Sequence, residues 1–160
     1  VGDLPDSSLV SVRLADNRRL CVAAPAYLQR AGVPATPADL TRHQCLTLSS
    51  DAAQTRGWAF EIDGEVTHLR LSGRLDCSDG QVLHDWCLRG LGIAWRSTWE
   101  VEADVAAGRL QVVLEPFAAP PNGIYAVFPQ RKHLPLRVRL WIDFVKHSYG
   151  DPHYWAAAAG

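Results

Sequence analysis

The side chains best suited to chemistry in this 160-residue chain lie in two short stretches. Residues 76–81 read Asp-Cys-Ser-Asp-Gly-Gln, and residues 95–97 read Trp-Arg-Ser. A helix that begins directly after a strand presents unpaired N–H groups and a partial positive charge, which favour a small anionic or polar ligand. Arg96 adds a cation that can bind a carboxylate through two parallel hydrogen bonds. We therefore expect this part of the chain to hold a small molecule, with a carboxylate as the first candidate.

The same residues also have purely structural interpretations. Ser78 and Gln81 fit a capping box at the start of a helix. Asp79 suits the first helical turn, where it favours the helix dipole but repels an anionic ligand. Trp95 can stack on a ligand ring or fill the core, and the core is the favoured interpretation. Arg96 can equally be an ordinary surface charge.

A second candidate for chemistry is the pair His84 and Cys87, which lie one helical turn apart. Such a pair can share a metal ion or act as a catalytic dyad. The sequence shows no third metal ligand and no acid that would orient the histidine. We therefore expect no metal, no cofactor and no catalytic residue here.

The elements that would position these residues alternate between strand and helix. Val82 to Gly90 predicts a helix, Leu91 to Trp95 a strand buried on both faces, and residues 97–108 a second capped helix. Strands are predicted at residues 110–114 and 124–128, with a final helix from Pro135. The alternation predicts a largely parallel α/β sheet that binds ligands outside the carboxyl ends of its strands.

The first part of the chain is predicted to be sheet with short helices. Residues 9–14 and 20–23 are expected to form a hairpin around Asp16-Asn17, and residues 58–62 and 66–75 a second one around Asp63-Gly64. Pro25 and Pro37 each suit the first turn of a short helix.

Composition places the chain among globular proteins and excludes several classes. It is 48% hydrophobic and 21% charged, and its net charge of −1 argues against a nucleic-acid-binding surface on this chain. No apolar run reaches the roughly 20 residues of a membrane-spanning helix, and no signal peptide is recognisable. The four cysteines lack metal-site spacing and are expected to be buried free thiols of a cytoplasmic protein. Because the chain contains no Met, we expect it to be a fragment or a processed product.

An ordered set of motifs resembles the effector-binding domain of LysR-type transcriptional regulators. The set consists of residues 2–9, 20–28, 73–95, 108–110 and 140–144, with Gly32, Pro34, Pro37, His43 and Cys45 between them. The likeness covers about residues 1–147. The chain departs from the common pattern at Ala24, Ser78 and Ser97, so the identity of an effector does not transfer from any relative.

The resemblance implies an α/β fold of the periplasmic binding protein type 2-like kind, with two lobes and an effector between them. Residues 44–117 would be a complete second lobe, residues 1–43 and 118–149 a partial first lobe, and residues 150–160 a tail. The implied effector-binding residues are Gly2, Asp3, Cys77, Ser78, Asp79, Gly80, Trp95, Arg96 and Ser97.

The function implied by the resemblance is ligand sensing. The chain would bind a small-molecule effector, form a homo-oligomer (dimer or tetramer), and reach DNA only through a separate, absent N-terminal winged helix-turn-helix domain. A periplasmic-type solute-binding protein is the alternative. A small α/β enzyme is disfavoured because the sequence has no nucleophile elbow, phosphate-binding loop or dinucleotide fingerprint.

Overall fold

A computed structural model of the chain describes residues 9–129 and 135–149. Gly2, Asp3 and the tail predicted at residues 150–160 lie outside the described residues. The strands are β1 (Leu9–Asn17), β2 (Arg19–Ala23), β3 (Cys45–Leu48), β4 (Trp58–Ile62), β5 (Glu65–Leu69), β6 (Leu75–Cys77), β7 (Ile93–Ser97), β8 (Gln111–Val113) and β9 (Asn122–Pro129). The helices are α1 (Pro25–Ala31), α2 (Ala52–Thr55), α3 (Gly80–Leu88), α4 (Thr98–Ala106) and α5 (Leu136–Tyr149), with 3₁₀ turns at Pro37–Arg42 and Glu115–Phe117.

The described chain divides into two compact units. The larger unit is Arg18–Pro120, and the smaller unit contains the described parts of Val1–Asn17 and Pro121–Gly160. The sequence-based boundaries at residues 44 and 117 differ from this division. Residues 18–43 fall in the larger unit because β2 pairs with both β7 and β8. The second boundary, after Pro120, lies within a few residues of the expected one.

The larger unit contains a five-stranded mixed sheet in the order β6-β3-β7-β2-β8. Strand β3 runs parallel to β6 and β7, whereas β2 runs antiparallel to β7 and β8. Four of the five strands therefore run in the same direction, as expected for a largely parallel sheet, and β2 is the one reversed strand. The predicted hairpin of β1 and β2 is wrong, because β1 pairs with β9 instead. Only Arg18 separates β1 from β2, which is too short for the usual two-residue hairpin turn.

The core of the larger unit covers both faces of this sheet. Tyr27, Trp58 and Phe60 pack against one face of the sheet, and Leu83 of α3 and Val101 of α4 pack against the other. All five residues of β7 are buried, which confirms the prediction of a strand buried on both faces. The hairpin predicted around Asp63-Gly64 is present as β4 and β5.

The start of β3 lies against two glycines that leave no room for a side chain. A Cβ atom added at Gly73 would lie 1.9 Å from the carbonyl oxygen of Cys45, and one added at Gly92 would lie 2.5 Å from that of Gln44. Both contacts are with backbone atoms, which cannot turn aside as a flexible side chain can. The backbone of β3 is therefore confined from two directions at its first residues.

Tyr27 ties α1 to the residues before β3. Its side chain is 3% exposed, and its hydroxyl oxygen accepts a hydrogen bond from the backbone N–H of Gln44 at 3.0 Å. The same hydroxyl lies 2.9 Å from Nδ1 of His43. Because the Gln44 N–H is the donor in the first bond, the tyrosine proton is free to be donated to Nδ1.

We expect Tyr27→Phe to lower the free energy of unfolding by about 1–2 kcal/mol, because a buried backbone N–H loses its acceptor. Urea denaturation of the variant and of the parent chain measures the difference. Tyr125→Phe is the matched control, since Tyr125 is 42% exposed. Equal effects of the two substitutions would contradict the assignment.

The smaller unit consists of the antiparallel pair β1 and β9 with α5 packed against β1. Ile142 and Val145 of α5 are buried, whereas Leu136, Leu140 and Phe144 are each more than half exposed. The helix predicted from Pro135 thus begins one residue later, at Leu136. In residues 9–129 and 135–149 no helix combines the length and the apolar character that a membrane crossing requires.

Candidate functional site

Both sequence stretches singled out for chemistry lie at one edge of the five-stranded sheet. Strands β3, β6 and β7 are parallel, so they end together at Leu48, Cys77 and Ser97. Strand β2 runs the other way, and its first residue, Arg19, pairs with Ser97. We call this edge, defined by these four residues, the carboxyl edge. The strand register confirms that the two stretches share one sheet edge, as the α/β alternation predicts. They are not neighbouring strand ends, as was also expected, because β3 lies between β6 and β7.

The start of α3 is capped by Asp79 and not by Ser78. The Asp79 carboxylate accepts hydrogen bonds from the backbone N–H groups of Gln81 at 2.8 Å and Val82 at 3.3 Å. The predicted Ser78 cap is wrong by one residue because the helix begins at Gly80, which makes Asp79 the residue in the capping position. Ser78 is left exposed. The carboxylate of Asp79 therefore already occupies the donors that a bound anion would use.

Arg96 joins the two stretches. Its side chain is nearly buried, and its Nη2 atom lies 2.8 Å from Oε1 of Glu100 and donates a hydrogen bond of 3.3 Å to the carbonyl oxygen of Gly80. Its Nε atom is buried without a partner. The predicted neighbourhood of the cation and the helix start is therefore present, but a carboxylate of the chain itself already balances the cation.

Glu100 also caps α4. Its Oε2 atom accepts a hydrogen bond of 3.0 Å from the backbone N–H of Ser97, which is one half of a capping box and agrees with the predicted capped helix. The next residue, Thr98, donates its backbone N–H to the carbonyl oxygen of Arg18 at 2.9 Å. One glutamate thus contacts both Arg96 and the backbone at the beginning of α4.

Trp95 lies in the core. It is 5% exposed and stacks on Trp58, with 6.3 Å between the ring centroids and 22° between the planes. The guanidinium carbon of Arg19 lies 4.8 Å from the centroid of the Trp95 ring. The indole thus has Trp58 and the guanidinium of Arg19 as protein neighbours, which agrees with the core interpretation.

Three polar residues at the carboxyl edge were not among the predicted site residues. Nη1 of Arg19 donates to Oδ2 of Asp51 at 2.7 Å, and Asp51 caps α2 through the N–H of Ala53. Gln54 donates to the carbonyl oxygen of Trp95 at 3.0 Å, while its own Oε1 is buried without a partner. The place of Arg19 follows from the pairing of β2 with β7, which joins residues far apart in the chain and gives no local sequence signal. Asp51 before Ala52 is a recognisable capping signal.

Electrostatics at this edge favour ionised Asp51. Burial disfavours the charged form, but the hydrogen bond and the charge of Arg19, together with backbone N–H donors, outweigh burial and lower the pKa of Asp51. The pair is only partly exposed, so its attraction is less screened than that of a surface pair.

The cysteines are free thiols, and three of the four are buried. Burial raises the pKa of Cys45 and of Cys87 to about 12, and that of Cys21 well above its ordinary value. These three thiols therefore stay protonated near neutral pH. Cys77 is the exception to the expected burial. It is half-buried at the carboxyl edge, with its Sγ atom 3.3 Å from the carbonyl oxygen of Asp79.

His84 and Cys87 do not act on each other in this structure. Nε2 of His84 lies 2.7 Å from Oδ2 of Asp104, and the thiol of Cys87 lies 3.5 Å from the carbonyl oxygen of Val22. Arg109 binds the other oxygen of Asp104 at 2.5 Å. No acid that orients His84 is recognisable in the sequence, whereas the structure places Asp104 beside it. Among the residues that the structure describes, no group of His, Cys, Asp and Glu could hold a metal ion.

The fold is that of an α/β domain built on a mixed five-stranded sheet. The LysR substrate binding domain family matches residues 1–150. The chain belongs to this family, as the ordered motifs predicted. Its relatives are transcription regulators and not enzymes.

Two curated relatives and one solved structure illustrate the likeness. The chain is 30% identical to the HTH-type transcriptional regulator DmlR of Escherichia coli K12 over 96% of this chain and 50% of DmlR. It is 32% identical to the HTH-type transcriptional regulator CrgA of Neisseria meningitidis over 94% of this chain and 50% of CrgA. The chain therefore spans about half the length of the curated relatives it matches.

The solved regulatory domain of CrgA from Neisseria meningitidis has the same fold. It superimposes with a TM-score of 0.79 at 31% identity, over 93% of this chain and 72% of that chain. The predicted fold class, α/β of the periplasmic binding protein type 2-like kind, is confirmed by this similarity.

Proposed function

We propose that this chain is the ligand-sensing part of a LysR-type transcription regulator and that it binds a small-molecule effector at the carboxyl edge. The observation that carries the proposal is the family match over residues 1–150. The edge supports it, because ligands of open α/β sheets bind outside the carboxyl ends of the strands. We propose that the effector contacts Cys77 at this edge and the three residues that follow it, Ser78 to Gly80.

The chemistry of the edge suits a small polar molecule. Ser49, Ser50 and Ser78 are exposed and carry hydroxyl groups that can donate or accept. A carboxylate is the first class to test, but it has to compete with Glu100 for Arg96 and with Asp79 for the start of α3. The proposed effector is therefore a polar molecule whose carboxylate, where it has one, binds mainly through hydroxyl and backbone donors.

The partners of the whole regulator are part of the same proposal. The relatives are HTH-type regulators, and the net charge of this chain is −1, so we assign DNA contact to a separate helix-turn-helix domain. Self-association is supported by the exposed apolar residues of α5, since contiguous exposed apolar surface commonly marks an interface. The family match favours a regulator over the solute-binding alternative.

Calorimetric titration tests the site. The chain is titrated with a panel of small carboxylic acids, each paired with its amide, and the tightest ligand is then titrated into Ser78→Ala. We expect about three- to tenfold weaker binding by this variant, which corresponds to one lost hydrogen bond. Ser72→Ala is the control, because Ser72 is exposed but lies outside the carboxyl edge. A panel without a ligand, or equal affinities of the two variants, would reject the site.

A further inference from the structure

We propose that Arg96 and Glu100 are positioning residues that couple the start of α3 to Arg18, the first residue of the larger unit. This inference rests on the proposed function, because it assigns a regulatory role to the same edge. Its test uses no effector, so its failure is distinguishable from a failure of the ligand-binding proposal. The coupling consists of four contacts that the structure places in series.

The first two contacts join α3 to α4. The guanidinium of Arg96 donates to the carbonyl oxygen of Gly80, the first residue of α3, and pairs with Glu100 in the first turn of α4. A Cβ atom at Gly80 would lie 3.4 Å from Nη2 of Arg96, so the guanidinium lies within van der Waals reach of the helix start. A shift of either helix start therefore moves the arginine or breaks a contact.

The other two contacts join α4 to the beginning of the larger unit. The second carboxylate oxygen of Glu100 binds the backbone N–H of Ser97, and the N–H of Thr98 binds the carbonyl oxygen of Arg18. The chain enters the larger unit at Arg18. The entry point is thus held by the same helix start that Arg96 ties to α3.

Burial makes these contacts act together. The side chain of Arg96 is 8% exposed and that of Glu100 is 22% exposed. When one partner of a buried ion pair is removed, the other charge stays in a poorly solvated place, and the surroundings must rearrange. A series of exposed contacts could break one at a time. The four contacts are therefore expected to break together. A change at the start of α3 would then be felt at Arg18, and a change at Arg18 at the start of α3, because coupling of this kind is reciprocal.

Amide hydrogen exchange measured by NMR on the full chain tests the coupling. Asp79→Ala removes the cap of α3, and the readout is the exchange rate of the Thr98 amide. We expect Asp79→Ala to accelerate this exchange at least about fivefold when Glu100 is present. In the Glu100→Gln background, Asp79→Ala is expected to leave the exchange rate of the Thr98 amide unchanged. The amide of Leu110, which donates to the carbonyl oxygen of Asp104, is the internal reference for global opening.

Glu102→Gln is the matched control for Glu100→Gln, because it makes the same chemical change on α4. In the Glu102→Gln background, Asp79→Ala must still accelerate the exchange of the Thr98 amide. If Glu100→Gln does not fold, Glu100→Asp and Arg96→Lys replace it. Both keep the charge but alter the contact between the two side chains, so Asp79→Ala is expected to accelerate the exchange of the Thr98 amide less in these backgrounds. The proposal would be overturned if Asp79→Ala left the exchange rate of the Thr98 amide unchanged. It would also be overturned if the exchange rates of the Thr98 and Leu110 amides rose in parallel.

Discussion

Gly73→Ala is expected to lower the free energy of unfolding by about 3 kcal/mol or more, the upper range for a forced overpacking. The new methyl group would lie 1.9 Å from the carbonyl oxygen of Cys45, a contact that only a backbone shift can relieve. That shift would move the first residue of β3, which pairs with β7 at Ile93 and leads into the pairing with β6. Urea denaturation of the full chain measures the loss, and Gly92→Ala is expected to act in the same direction because of its contact with Gln44.

The control for this prediction separates backbone strain from steric contact. Gly108 has a φ of +75° and nothing within 4 Å of an added Cβ atom. Gly108→Ala therefore suffers only the left-handed backbone penalty, which is about 1–2 kcal/mol. A stability loss at Gly73 no larger than the loss at Gly108 would show that β3 tolerates the displacement.

Asp104→Ala is expected to lower the free energy of unfolding by about 3 kcal/mol, the upper range for a buried polar group left unsatisfied, because Nε2 of His84 loses its hydrogen-bond partner. The His84 side chain is 11% exposed, and its Nδ1 atom already lacks a partner. Without Asp104, both ring nitrogens would be buried and unpaired. The measurement is again the free energy of unfolding in urea.

Two further variants show which contact of Asp104 matters. Arg109→Ala is expected to lower the free energy of unfolding by less than about 1 kcal/mol, because the Arg109 side chain is 58% exposed and water screens its ion pair with Asp104. The double variant His84→Leu, Asp104→Leu is expected to recover most of the loss, since an apolar pair leaves no buried polar group unsatisfied. A double variant as unstable as Asp104→Ala would contradict this explanation.

The same carboxylate makes stability depend on acid. Burial disfavours the charge of Asp104, but hydrogen bonds from Arg109 and His84 outweigh burial and hold its pKa below the ordinary 3.8. A lowered pKa in the folded chain contributes stability above the unfolded pKa, and the contribution disappears as the pH falls through the folded value. The parent chain is therefore expected to lose stability below about pH 4 more steeply than Asp104→Ala.

The fold and the site were predictable to different degrees. Capping residues, glycine stops and the ordered motifs predicted α3, β7, α4 and α5, because these signals are local in the sequence. The partners of β2 were not predictable in this way, since strand pairing joins residues far apart in the chain. Ser78 and Asp79 are both good capping residues, so the sequence could not decide between them. Asp104 was missed because only the packing of α4 against α3 brings it to His84.

The position of β2 also has a consequence for how the chain is made. This strand leaves the ribosome well before both of its neighbours in the sheet, β7 and β8. Until then Leu20 to Ala23, all buried in the finished sheet, have no partner to cover them. Such non-local pairing slows folding and leaves apolar strand edges open to other chains. Expression at low temperature, which slows synthesis and lowers the concentration of nascent chains, should therefore increase the yield of folded protein.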